Sequence, residues 1–465
     1  MGRSRRAAEL RGLQQRGNDV HRFRGLAIAV TVTIALGASA VGASAQAAGP
    51  GGATQATEVG ITSSTIRIGV IADDNDALAP GLFAGSPRAV TAYAKLINAT
   101  GGLAGRKLQV DFLDSQLSDT ATANAVIKAC SQDFAIVGTE AEFMQDVSNL
   151  VACPDKTGAA TGLPDIAGFS ANFAEGCSPV TFSPNPVQID CATLNQHPQT
   201  FRGNQGTVKY HLRTQNQLHG IFVYGNDLQS GAIAGLAIAR VNQAGGVKSD
   251  GEIGISAEAP QSAYTPIVQQ MKTKNANYVL NINTSASLVD QRKEAVLQGV
   301  NAKKVIWDCF SNCYDPSLIQ QGGADVEGTY VTLSGLPFNE TKSNPALAAY
   351  VKAVGASKVD GFGEYAWTDA MLFRDSVDAI VKKSGNNALT RKALLAQLAS
   401  TTNFNADGMW GTTNVAQRIP TPCFLVMQVK SARFTRVYPT APGTFDCNKS
   451  NGISVKANLI TGQSG

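Results

Sequence analysis

A seven-residue pattern occurs twice in this chain, and the repeat limits the folds that the chain can adopt. The pattern INxxGGL begins at Ile97, and VNxxGGV begins at Val241, 144 residues further on. In both copies a helical pattern ends at the Gly pair, where a helix is expected to stop, and a strand pattern follows. A chain that repeats this unit is expected to contain two α/β lobes of the same design.

The first copy of the unit has the strand and helix order of a parallel α/β sheet. Ile66–Ala72 is a near-continuous apolar run, which is typical of a strand buried on both faces. Ser86 and Pro87 predict the N-cap and the first position of the helix that follows. Further strands are predicted at Leu108–Phe112 and Phe134–Val137, with a helix between them.

The same order of elements begins again in the middle of the chain, and a helical and then a β-rich region follow. Because each apolar strand needs helices on both faces, we predict an α/β fold with two similar doubly wound parallel-sheet lobes. The predicted elements of this part are strands at Ile221–Tyr224, near Ile253 and at Tyr278–Ile282, helices opening at Thr265 and spanning Ala366–Lys383 and Leu394–Leu398, and a β-rich end at Cys423–Val437.

Residues 1–47 have the form of a secretory signal peptide. They hold seven Arg and two acidic residues, then the uncharged apolar run Leu26–Ala40 and small-x-small patterns at residues 43–45 and 45–47. The alternative is one membrane-spanning helix, but the strongly hydrophobic part is short for a bilayer core of about 30 Å. We expect an exported protein, in the periplasm, the cell-envelope space or outside the cell, with residues 48–61 as a flexible lead-in. The rest of the chain is nearly neutral, which argues against nucleic acid as a partner.

The eight cysteines all follow this segment, and their even number in an exported chain predicts disulfides. Eight cysteines allow 105 pairings. Sequential pairing closes four short loops, each worth about 3 kcal/mol, and is the one we expect. With four His and no Cys-x-x-Cys or His-Glu-x-x-His pattern, neither a metal site nor a cofactor is predicted. The expected pairs are Cys130 with Cys153, Cys177 with Cys191, Cys309 with Cys313, and Cys423 with Cys447.

No catalytic pattern in its proper context is found in the sequence. A phosphate-binding GxxxxGK, a GxSxG after a strand and a GxGxxG are all absent. His211 and His219 have no nucleophile pattern near them, so a surface or loop role is favoured. The paired acids Glu140 and Glu142 fit solvated loop positions better than acid-base chemistry. We therefore predict that the protein is not an enzyme.

Motifs in both lobes resemble one known family. IRIG from Ile66, INxxGGLxGRKL from Ile97, YGND from Tyr224 and YTPIV from Tyr264 resemble the branched-chain amino-acid (Leu/Ile/Val-binding) type of periplasmic solute-binding protein. Such proteins are the capture subunits of ABC importers. The likeness runs from about residue 65 to about residue 439.

The resemblance implies a periplasmic-binding-protein-like fold I, with the two lobes joined by three hinge crossings and a ligand in the cleft between them. The crossings are expected near Thr200, Ser334 and Asn414. The first lobe would then comprise residues 62–200 and 334–410, the second lobe residues 201–333 and 411–455, and residues 456–465 would form a tail.

The resemblance also implies a set of cleft residues, which we carry over from the flanking motifs. At the first crossing, where relatives that bind amino acids have an acid, this chain has Arg202. A guanidinium there would pair with an acidic group of the ligand, unless Glu142 or Asp308 neutralises it. The full set is Leu78, Glu142, Ser170, Asn172, Arg202, Ser230, Asn283, Thr284 and Asp308.

The function implied is capture of a small organic ligand, an amino acid or a small carboxylate, and its delivery to the permease of an ABC importer. We expect a monomer that binds no nucleic acid. Two alternatives stay open. One is a ligand-sensing receptor of the same fold, and the other, which the missing catalytic pattern disfavours, is a secreted hydrolase.

Overall fold

The computed structural model describes residues 53–75, 81–170, 172–227 and 229–460. The predicted signal peptide, residues 1–47, lies outside this part of the chain. So do the first residues of the predicted lead-in and the end of the predicted tail. Within the described residues, no helix combines the length and the apolar character that crossing a membrane requires.

The first sheet has five parallel strands in the order β2-β1-β3-β4-β5. Strand β1 is buried on both faces, as its apolar run predicts. Two long helices and two short ones connect the strands. The elements are β1 (Thr65–Ala72), α1 (Gly85–Ala99), β2 (Lys107–Asp114), α2 (Asp119–Gln132), β3 (Ala135–Ala141), α3 (Ser148–Val151), β4 (Asp165–Ser170), α4 (Phe173–Gly176) and β5 (Thr181–Phe182).

The second sheet has seven strands in the order β13-β12-β11-β10-β9-β7-β8. Strands β7 to β11 are parallel, and β12 and β13 are added antiparallel at one edge. The elements up to the end of β11 are β6 (Gln199–Asn204), α5 (Gly206–His211), β7 (Leu218–Gly225), α6 (Gln229–Ala244), β8 (Val247–Ile255), α7 (Thr265–Lys274), β9 (Tyr278–Ile282), α8 (Ser285–Leu297), β10 (Ile306–Cys309), α9 (Pro316–Gly322) and β11 (Tyr330–Leu333).

After β11 the chain returns to the first sheet before it completes the second. The helices of this return pack around the first sheet, with α11 lying against β3 and β4. We call the first sheet with its helices the first lobe, and the second sheet with its helices the second lobe. The remaining elements are α10 (Pro345–Val354), α11 (Gly361–Ser384), α12 (Arg391–Leu398), β12 (Leu425–Val429), β13 (Phe434–Tyr438) and β14 (Gly452–Ala457).

Two helices begin earlier than their sequence predicts. Helix α1 starts at Gly85, and Ser86 does not cap it, because the Ser86 hydroxyl donates instead to the carbonyl of Gly138. Helix α11 starts at Gly361, five residues before the predicted Ala366, because the Asp360 carboxylate accepts a hydrogen bond from the Gly363 amide at 2.7 Å and caps the helix there.

The two ends of the described chain are held against the lobes. In the predicted lead-in, the Thr57 hydroxyl donates to the Leu389 carbonyl at 2.6 Å, and Ile61 is buried. In the predicted tail, residues up to Ala457 belong to β14, which pairs antiparallel with β6. The Leu459 amide donates to Gln199 at 3.2 Å. Both described segments are therefore integral parts of the fold rather than loose extensions.

The disulfides are the four that the sequence predicts. Cys130 is bonded to Cys153, Cys177 to Cys191, Cys309 to Cys313, and Cys423 to Cys447. No cysteine of the described chain is free.

The loops closed by these bonds differ in length, and this difference predicts unequal contributions to stability. Cys130 and Cys153 are 23 residues apart, whereas Cys309 and Cys313 are 4 apart. Because a longer loop restricts the unfolded chain more, replacing the first pair by Ser should lower the free energy of unfolding by about 3 kcal/mol and the second by about 2 kcal/mol. Urea denaturation of the two double variants measures both values, and a larger loss from the second pair would contradict this account.

Candidate functional site

A cavity of about 1160 Å³ lies between the two lobes. Its walls come from loops that follow the carboxyl ends of parallel strands in both sheets, which is where open α/β sheets bind ligands. In the first lobe these are Glu142 after β3 and Ser170 at the end of β4. In the second lobe they are Asp227 after β7, Asn283 after β9 and Phe310 after β10. We call this cavity the cleft.

The first-lobe wall of the cleft is aromatic. The Phe83 ring lies 4.7 Å from that of Phe362 and 5.9 Å from that of Phe169, measured between centroids. Tyr365, one turn after Phe362 on α11, continues the wall, and Phe143 also lines it. These rings give the cleft a broad apolar face that fits the carbon skeleton of an organic ligand.

Glu142 is the acidic group of this wall. Its backbone amide donates to the Asp73 carboxylate at 2.8 Å, and its carbonyl accepts from the Asn172 amide at 2.7 Å. Burial raises the pKa of Glu142 to about 7, and the negative charges of Asp73 and of Asp227 across the cleft add to this shift. Glu142 is therefore poised to change its charge near neutral pH.

The second-lobe wall is polar and fixed by hydrogen bonds. The Asn283 side chain donates to the Ile255 carbonyl at 3.1 Å, and its backbone amide donates to the Asn281 side chain at 3.0 Å. The next residue, Thr284, caps α8 by accepting from the Ser287 amide at 3.1 Å. These contacts hold the loop after β9 in one conformation at the edge of the cleft.

The disulfide between Cys309 and Cys313 closes a small ring beside this loop. The three residues within the ring, Phe310, Ser311 and Asn312, all line the cleft. The Asn312 side chain donates to the Asn283 carbonyl, and the Ser311 hydroxyl hydrogen-bonds with that of Tyr365 in the first lobe. The ring thus shapes the second-lobe wall and also joins the two lobes.

Asp308 lines the cleft but is already occupied by protein partners. Its carboxylate lies 3.2 Å from the His211 ring and accepts from the Tyr278 hydroxyl at 3.1 Å, and both Asp308 and His211 are buried. The role of Asp308 is therefore to anchor α5 to the second sheet. Within the described residues, His, Cys, Asp and Glu side chains form no group suited to holding a metal ion.

The structure brings five of the predicted site residues together. These lining residues are Glu142, Ser170, Asn283, Thr284 and Asp308. Asn172 is buried beside the cleft and supports Glu142 without lining it. Leu78 lies outside the described residues. Ser230 falls in the first turn of α6, but its side chain is also outside the description.

Arg202 does not line the cleft, in contrast to the prediction. In β6 the residues that line the cleft are Gly203 and Asn204, and Arg202 is not among them. The Arg202 guanidinium instead donates to the Asp190 carboxylate at 2.6 Å. Its partner is neither Glu142 nor Asp308, the two candidates that the sequence suggested.

The aromatic wall is the part of the site that the sequence did not indicate. Phe362 and Tyr365 lie in the part of α11 before Ala366, where the helix was predicted to begin. The available signal was Asp360, a good N-cap residue just before Phe362. Phe83 and Phe169 carry no pattern of their own that would separate them from core residues.

A two-lobed α/β protein with a ligand-sized cleft at the strand ends has the architecture of a solute-binding protein. Residues 65–433 match the model of the periplasmic binding protein family, and the chain therefore belongs to that family. It is a family of solute-binding proteins, not of enzymes. A search of curated proteins finds no significant match.

Solved structures with different ligands share this fold. A fatty acid ABC transporter substrate-binding protein from Thermomonospora curvata is 17% identical, with a TM-score of 0.63 over 85% of this chain and 99% of that chain. A solute-binding protein from Rhodopseudomonas palustris in complex with 4-hydroxybenzoate is 14% identical, with a TM-score of 0.59 over 80% and 96%. A leucine-binding protein from Thermotoga maritima is 16% identical, with a TM-score of 0.57 over 80% and 97%.

The raised pKa of Glu142 gives a test of the cleft geometry that needs no ligand. Its carboxyl should titrate near pH 7 in carbon-13 NMR. Asp227→Asn should move this midpoint to lower pH, because it removes one of the negative charges that disfavour ionised Glu142. Asp290→Asn, on α8 and outside the lining, serves as the control and should leave it unchanged. A midpoint that does not respond to Asp227→Asn would show that the two carboxyls do not face each other.

Proposed function

We propose that this protein captures a small organic solute in the cleft and delivers it to the permease of an ABC importer, outside the cytoplasm and as a monomer. The observation that carries the proposal is that one ligand-sized cavity receives side chains from both lobes. Binding between two lobes favours the closed form only through contacts that the open form lacks. A permease that recognises the closed form would then receive only loaded protein.

The three passages between the lobes are the proposed hinge. The first is the β6 strand, the second follows β11, where Gly335 pairs with Trp410, and the third follows Trp410. Segments of extended backbone such as these absorb domain rotation by small changes in their dihedral angles. We further propose that residues 1–47 direct export and are removed.

The carboxylate ligand suggested by the sequence depended on Arg202, which pairs with Asp190. The proposal therefore covers small organic solutes without that restriction, amino acids included. The three solved structures named above concern a fatty acid, 4-hydroxybenzoate and leucine. Proteins of this fold thus differ in their ligands. The chemical class of the solute has to be inferred from the residues that line the cleft.

Ligand binding should compact the molecule without converting the ligand. Native mass spectrometry of the purified protein identifies a solute retained in the cleft. Small-angle scattering of the emptied and reloaded protein should then show a smaller radius of gyration with ligand, and NMR should show the ligand chemically unchanged. An unchanged radius at saturation would contradict hinge closure, and a converted ligand would contradict a pure binding role. Delivery to the importer is tested by measuring uptake of the labelled solute in cells that lack the gene for this protein.

Both walls should be required for binding. Phe362→Ala in the first lobe and Phe310→Ala in the second should each weaken binding of the retained solute at least tenfold, because burying a Phe side chain contributes about 1.5–3 kcal/mol. Calorimetry gives the affinities. Arg202→Ala is the control and should stay within twofold of the original protein. If only one wall matters, the solute does not bridge the lobes.

A further inference from the structure

We infer that the solute is an organic cation, an amine with an apolar body, held between Glu142 of the first lobe and Asp227 of the second. This inference rests on the proposed capture function and names the chemical class of its ligand. It is drawn from the balance of charge in the cleft, the unpaired state of these two acids and the aromatic wall beside them.

Acidic side chains outnumber basic ones among the described residues that line the cleft. The bases are two, Arg88 and Lys358, and neither is available to an anion deep in the cleft. Arg88 donates to the Asp360 carboxylate at 3.1 Å, and Lys358 is exposed at the rim. The acids are six: Glu142, Asp227, Glu258, Asp308, Asp315 and Asp360.

The residues outside the description that lie next to cleft-lining segments in the sequence carry no positive charge. The segments 76–80 and 228, which border the cleft in sequence, contain no Lys or Arg, and 76–80 adds Asp76. The side chains of residues 229 and 230 are Gln and Ser, also without positive charge. The charge surplus of the cleft is therefore negative whatever the positions of these residues.

Glu142 and Asp227 form no ion pair with a basic group of the described chain. The charged groups that face Glu142 are Asp73 beside it, Asp227 across the cleft and the buried Glu175 behind it, all of them acidic. Asp227 is held in place because its carboxylate accepts from the Ala257 amide at 2.7 Å. A cation between the two lobes would gain from both carboxylates, whereas an anion would be repelled by both.

The aromatic wall lies on the same side of the cleft as Glu142. Phe143 is the next residue in the chain, and Phe169 and Phe362 form the surface that continues from it. An aromatic face attracts a cation and also buries an apolar skeleton. A carboxylate next to such a face is the arrangement that suits an ammonium group carried on an apolar body.

The placement of the two acids on opposite lobes also links the cation to closure. Closing the cleft brings Glu142 and Asp227 closer together, so their mutual repulsion opposes closure in the empty protein. A cation bound between the two carboxylates offsets their repulsion and so allows the cleft to close. The cation therefore binds the closed form more tightly than the open form, and capture requires this difference in affinity.

Matched probes with one body and different head groups test the charge assignment. Calorimetry at pH 8 compares phenethylamine with 2-phenylethanol and 3-phenylpropionate, and hexylamine with hexanol and hexanoate. The amines should bind at least tenfold more tightly than either counterpart. Lowering the pH to 6 should weaken amine binding, because Glu142, with a pKa of about 7, becomes neutral.

Two substitutions locate the charges that are responsible. Glu142→Gln and Asp227→Asn should each weaken amine binding at least tenfold and change binding of the alcohols less than twofold. Asp290→Asn should leave amine binding within twofold. Alcohols or carboxylates that bind as tightly as the amines, or amines that do not bind at all, would overturn the cation assignment. The proposed capture function is judged separately, by the retained solute, the scattering experiment and the NMR test of whether the ligand is unchanged.

Discussion

The packing of α11 across β3 and β4 is the contact on which the cleft depends. The helix begins in the cleft, where Phe362 and Tyr365 form its wall, and continues into the core, where Trp367 packs edge-on against Tyr93 at 4.8 Å. It reaches the sheet closely because Gly138 of β3 has no side chain. A Cβ there would lie 3.0 Å from the Ala366 Cβ and 2.9 Å from Val90, and the residue has a φ of +79°. The close packing of α11 on β3, which completes the first-lobe core, therefore also sets the position of the aromatic wall.

The acids in and near the cleft divide into two groups with different surroundings. Glu140 and Asp369 are completely buried beneath the sheet and have no hydrogen-bond partner. Burial raises the pKa of both well above the usual range, which favours the neutral form of these two side chains. Glu142 and Asp227 instead line a cavity that a solute can enter. The negative field in the cleft thus comes from residues that face it, and the buried acids add little to it.

The fold could be predicted from the sequence because its signals repeat and act over short distances. The INxxGGL repeat and the apolar run of β1 predicted two α/β lobes, and the local spacing of the cysteines predicted all four disulfide pairs, which the structure confirms. The loops that form the cleft could also be located, because they follow buried strands.

Individual cleft residues were harder to predict because a shift of one or two residues along a strand takes a side chain out of the cleft. Arg202 was assigned to the right strand, but the residues of this strand that line the cleft are Gly203 and Asn204, and Arg202 pairs with Asp190. Phe362 was missed because the start of α11 depends on a cap at Asp360 rather than on apolar periodicity. Charge balance across the cleft depends on contacts between distant segments, such as Arg88 with Asp360, which no local pattern reveals.

The pairing of β14 with β6 has a consequence for the order in which the protein folds. Residues 199–204 of the first crossing bond to the nearby residues 188–190 on one edge, but their partner strand on the other edge is residues 452–457, after every other strand of the described chain. Contacts between such distant segments form late, because a long loop must close first. A chain that emerges from its amino-terminal end can assemble both sheets while this crossing still lacks its partner strand. The first of the three passages therefore gains its partner strand only when the chain is complete through β14.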